Sequence, residues 1–115
     1  MAIQMNQAAF RHARTLVRDG RVVKDEQGDW SEAEPTPDEE NAFIEREGWK
    51  AYGRWHLGCD GRESEETKQA YSFPFGDFRK VHRSGVIAAE SRAGQHGHLE
   101  IRDALKALLR LIDEV

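Results

Sequence analysis

The chain has a single cysteine, Cys59, so no intramolecular disulfide can staple it, and a reducing compartment is the expectation. It also lacks long apolar runs. The longest are a few residues, against the roughly 20 needed to cross a bilayer, and the N-terminus has no apolar signal-peptide core. No membrane association and a cytoplasmic location are therefore expected. There is no internal repeat, no low-complexity tract and no diagnostic catalytic motif. Cofactors are not implied by any pattern.

The 115 residues suit one domain with one core, and 38% hydrophobic against 33% charged residues argues against disorder. A monomer or small homo-oligomer follows. The net charge of −4 hides an uneven distribution. Residues 1–24 carry Arg11, Arg14, Arg18, Arg21 and Lys24 against Asp19, whereas residues 25–47 carry ten acids against Arg46. The acidic block disfavours non-specific contact with nucleic acid or anionic lipid in its vicinity, leaving the basic first helix free to act separately or to face the acids within the fold.

Asn6 can cap a first helix to about Asp19, with Ala9, Phe10, Ala13, Leu16 and Val17 as its apolar stripe and Gly20 as its stop. Residues 25–37 form a polar connector whose one large anchor is Trp30. Thr36-Pro37-Asp38-Glu39-Glu40 combines an N-cap, a proline at the first helical position and first-turn acids, so a second helix runs to about Glu47. Trp49, Tyr52 and Trp55 recur at spacing three. That spacing extends the helical pattern to about Leu57 and assigns these rings to the core. Residues 58–63 read as a loop. A third helix is expected from Phe78 or Arg79 to Ala93, and a fourth, amphipathic, from about Leu99 to the end.

Tyr71-Ser-Phe-Pro-Phe-Gly-Asp-Phe78 is the most specific local feature. Pro74 holds Phe73 extended, and Gly76-Asp77 turns the chain toward the next helix. The expected fold is thus mainly α: a single small domain of about four helices, spanning 1–115, with one extended aromatic segment and little or no sheet. The aromatic segment plugs a cluster made by the second helix and its extension.

Three constellations have chemical potential. His56 and Cys59, with His96 and His98, offer zinc-ligand types, but structural zinc sites show clean cysteine-rich pairs, so no metal is expected. Cys59 with His56, His82 or His98 and Asp60 or Asp77 supplies thiol, base and orienter, yet no glycine-flanked nucleophile turn surrounds the cysteine. Arg79, Lys80, His82 and Arg83 lie at a helix start where a phosphate can be held, and the last two helices superficially resemble a helix-turn-helix; the would-be recognition helix, with Glu100 and Asp103, has no positive excess.

Phe43-Ile-Glu45, Gly48-Trp49, Tyr52-Gly-Arg-Trp-His-Leu-Gly58, Tyr71 to Asp77, Lys80-Val-His-Arg-Ser84 and Arg92-Ala-Gly-Gln95 resemble elements of a group of small uncharacterised bacterial proteins. The resemblance covers about residues 30–115 and implies no activity. The segment before the alanine-rich helix is also similar to segments of phage and prophage head-associated proteins, which implies a prophage-related context.

The expected function is a non-enzymatic binding or adaptor module for a protein partner, because aromatic anchors are abundant and convergent catalytic groups are not. Tyr71, Phe73, Phe75, Arg79, Lys80, His82 and Arg83 are the candidate binding residues. The alternatives are nucleic-acid binding through the basic residues at 79–83, or a small metal- or cysteine-dependent enzyme around Cys59.

Overall fold

A computed structural model describes residues 3–115. It opens on a short strand, β1 (Ile3–Met5), followed by helix α1 (Gln7–Arg18). Asn6 caps this helix by accepting from the Ala9 N–H at 3.3 Å, and its side-chain amide donates to the Gly53 carbonyl at 3.0 Å. The residue that starts the helix thereby also fixes where the helix sits. Ala9, Ala13, Leu16 and Val17 enter the core as the periodicity requires, and the chain leaves through Gly20 at φ 80°.

Strand β2 (Val22–Val23) precedes a connector that is held rather than loose. A single turn, α2 (Trp30–Ala33), buries Trp30 against Gly85, where an added Cβ would lie 2.9 Å from the indole ring. Helix α3 (Pro37–Glu47) starts in a complete capping box: Glu39 N–H donates to Thr36 Oγ1, and Thr36 N–H donates to Glu39 Oε1. Thr36→Ala should cost about 1 kcal/mol of stability through loss of that cap. Urea denaturation checks this; an unchanged midpoint would mean that α3 does not depend on its cap.

Gly48, at φ 91°, interrupts the helical path, and only one further turn follows as α4 (Trp49–Gly53). The expected extension to Leu57 is not formed. Residues His56–Asp60 are strand β3, flanked by β1 on one side and by β4 (Tyr71–Pro74) on the other in a three-stranded antiparallel sheet of order β1-β3-β4. A tight turn then leads into β5 (Val81–His82), which pairs in parallel with β2. Helix α5 (Arg83–Gln95) starts only after that strand, later than the expected residue 78 or 79. Helix α6 (Leu99–Glu114) closes the chain.

The mainly helical expectation is therefore corrected. The described residues form six helices and two small sheets, an α+β arrangement. The physical reason lies in β3: His-Leu-Gly-Cys-Asp has none of the β-branched residues that mark a strand, and its neighbours carry aromatic residues at helical spacing. One hydrophobic core joins α1, the sheet, α5 and α6, with Leu57, Phe75, Val81, Val86, Leu105 and Leu108 at its centre. Among the described residues no helix is long and apolar enough to cross a membrane.

Candidate functional site

The turn after the aromatic segment is organised by Asp77. Its N–H donates to the Lys80 carbonyl at 3.1 Å, and its Oδ1 accepts from the N–H groups of Arg79 at 2.9 Å and Lys80 at 2.7 Å. The other oxygen, Oδ2, lies 2.8 Å from His82 Nε2. On its far side the same imidazole meets Asp25: Nδ1 lies 2.9 Å from Asp25 Oδ2. Ser84 completes the arrangement, its N–H donating to Asp25 Oδ1 and its hydroxyl to Oδ2, both at 2.8 Å.

Each ring nitrogen of His82 faces a carboxylate, and both contacts are hydrogen bonds only when both nitrogens carry protons, so the site favours the imidazolium. Burial opposes that charge, but hydrogen bonds and attraction from Asp25 and Asp77 outweigh it and raise the His82 pKa above 6.5. The carboxyls are likewise held below their ordinary value: against the burial that would raise them, His82 and the local N–H donors win. Serine, histidine and aspartate are all present, but in the wrong order for nucleophilic catalysis. Ser84 donates to Asp25 rather than to His82, and neither imidazole nitrogen is free to take a proton.

The Cys59 neighbourhood is no better equipped. His56 and Cys59 are three positions apart in a strand, which places their side chains on opposite faces of the sheet. Burial lowers His56 to about 4, and its Nδ1 lies 2.9 Å from the Tyr52 carbonyl, so the ring is neutral and donates there. The Cys59 thiol is raised by burial and then by the Asp60 charge, which keeps it protonated at neutral pH. His98 sits edge-on to Phe73 at 5.6 Å, and His96 is exposed. Among the described residues no three histidine, cysteine or acidic side chains are grouped to hold a metal.

The candidate binding residues divide into separate environments. Phe75 is fully buried and Phe73 is 5% exposed, both within the core. Tyr71 is half-buried and donates its hydroxyl to the Glu65 carbonyl at 2.8 Å. Arg83 is paired with Asp113 at 2.8 Å, and His82 is enclosed by its two carboxylates. Arg79 and Lys80 alone project from the turn into an open cleft.

That cleft, about 480 Å³, lies between α1, α3, α4 and the Asp77–Lys80 turn. Arg21, Arg46, Arg54, Arg79 and Lys80 line it, with Glu47 as its one acid. Arg46 is engaged with Glu47 at 3.2 Å. The other four cations have no ion-pair partner among the described residues, in a chain with 21 acids and 17 basic residues. Phe78 stacks on Phe43 at 4.3 Å and 10°, and His12 meets Trp55 edge-on at 5.1 Å. Burial and then the Arg54 charge lower the His12 pKa, so this ring is neutral.

Phe78 stands at φ 70°, in the left-handed region that costs a non-glycine residue roughly 1–2 kcal/mol. The Asp77 turn holds it there, and its ring lines the cleft. The sequence singled out Arg79 and Lys80 but not Arg21, Arg46, Arg54 or Asp25, which come from separate segments with no common spacing. The chain matches no known protein family, curated protein or solved structure.

Proposed function

We propose that the protein is a non-enzymatic binding module that captures a protein partner through an acidic segment seated in the cationic cleft. The carrying observation is the set of four unpaired cations gathered at one cleft of a net-acidic chain. The chain as a whole has 21 acids against 17 basic residues, so the positive charge there is not a by-product of basic composition. Guanidinium groups bind carboxylates bidentately, and arginine with aromatic neighbours is a common anchor of interfaces. Against catalysis stand the occupied nitrogens of His82 and the protonated thiol of Cys59.

Nucleic acid fits the same geometry less well. Base stacking needs exposed ring faces, whereas Phe43 is 7% and Trp55 5% exposed. Of the basic residues at 79–83, only Arg79 and Lys80 are unengaged.

Arg54 and Lys80 are both exposed, so their reversal to glutamate should leave the fold intact, as circular dichroism would verify. An acidic peptide, followed by fluorescence anisotropy, should bind the Arg54→Glu/Lys80→Glu protein about ten- to a hundredfold more weakly. Equal affinity for both proteins would remove the cleft as the recognition surface.

A further inference from the structure

We infer that the group seated in the cleft is a phosphoryl group, carried as a phosphorylated side chain on the partner's segment. This rests on the reading of the cleft as a protein-binding surface and adds the chemistry of its occupant.

Charge density selects the occupant. Arg21, Arg54 and the adjacent pair Arg79 and Lys80 come from three different segments and line one cleft of about 480 Å³, a volume at the scale of a small ligand. A glutamate brings one charge on two oxygens and satisfies one guanidinium fork. Several carboxylates could match the cations only by crowding together, at the cost of their mutual repulsion. A phosphate monoester carries about −1.5 to −2 charges at neutral pH on three acceptor oxygens, and so offers each neighbouring cation an acceptor from a single centre. The donor set is three guanidinium groups and one ammonium, a combination that recognises phosphate both bidentately and as a point charge.

A phosphodiester strand brings one charge per residue and needs a groove that tracks it. Here Glu47 stands on the cleft wall, and the acidic block 25–47 continues along α3. Those acids repel an extended polyanion, yet tolerate one concentrated charge held by the cations. His12 supplies an internal reporter, because it lines the cleft beside Arg54 and Trp55. A dianion seated there should favour the protonated imidazole and move its titration to higher pH.

The test is an NMR titration of the full chain with four probes: a short alanine-flanked phosphoserine peptide, its serine and glutamate counterparts, and a single-stranded oligonucleotide. The phosphoserine peptide should bind at least about tenfold more tightly than either counterpart. Inorganic phosphate should compete with it, His12 should titrate at higher pH in the complex, and Arg54→Ala or Lys80→Ala should each weaken binding severalfold. Equal affinity for the glutamate peptide would overturn the phosphoryl assignment and leave the acidic-segment reading standing. A preference for the oligonucleotide, or no binding by any probe at millimolar concentration, would overturn both.

Discussion

Phe75→Ala is expected to destabilise the protein by about 3–5 kcal/mol, the usual cost of deleting a buried phenyl ring. The ring is fully buried and lies 5.9 Å from that of Trp55, centroid to centroid. The backbone around it has little freedom to collapse into the cavity. The Phe75 carbonyl accepts from His82 N–H at 3.0 Å, and the same oxygen would stand 3.1 Å from a Cβ placed on Gly85. A domain of this size commonly has about 5–15 kcal/mol in total, so the variant should be marginally folded or unfolded at room temperature. Urea denaturation followed by tryptophan fluorescence provides the measurement. A loss under about 1 kcal/mol would show that the ring is not a core element and would return it to the candidate interface.

The second large effect concerns pH. Two buried histidines give stability slopes of opposite sign on either side of the ordinary imidazole value of 6.5. His56 is held at about 4 in the folded protein, so between pH 6.5 and 4 the unfolded chain binds a proton that the native state does not. Stability must therefore fall as the solution is acidified through that interval. A difference of about two and a half pH units, at about 1.4 kcal/mol each, is on the order of 3 kcal/mol. His12, also lowered, adds in the same direction.

His82 behaves oppositely. Its folded pKa is raised, so the stabilisation from its two carboxylates is fully present below 6.5 and is lost as pH rises through the folded value. Asp25 and Asp77, held low, contribute above the ordinary carboxylate value of 3.8 and lose that contribution as pH falls through their folded values. The expected profile is a maximum near pH 6.5 with decline on both sides. Thermal melts across the range provide the check. His82→Gln should flatten the alkaline limb, while His56→Phe should flatten the acid limb if the ring is accommodated. A profile that kept its decline just above pH 6.5 in His82→Gln protein, below the range where the raised Cys59 and Tyr52 groups contribute, would sink the assignment of that limb to the Asp25–His82–Asp77 bridge.

The sequence announced its helices better than its sheet. Asn6, Thr36 with Glu39, and Gly20 are local signals whose hydrogen bonds or backbone angles act within a turn, and the helices they bound stand where expected. Trp49, Tyr52 and Trp55 misled because an aromatic at every third position satisfies a helix template, while Gly48 and Gly53 admit a break in that template. Strand β3 carries no local mark at all; its identity comes from the partners on its two sides. The same holds for the bridge and the cleft. Asp25 reaches His82 across 57 positions, and the cleft cations come from segments that meet only after folding. Pairing of this kind depends on tertiary contact, which no short window encodes.

Strand β4 forms one edge of the three-stranded sheet. Phe73 stands at φ 61° in the middle of that strand and Pro74 follows it without an N–H, so the outer edge presents neither regular extended backbone nor a full row of donors. Another chain has no template there on which to add a strand. The aromatic segment, apolar enough to be an aggregation hazard, thus includes its own guard against fibrillar growth.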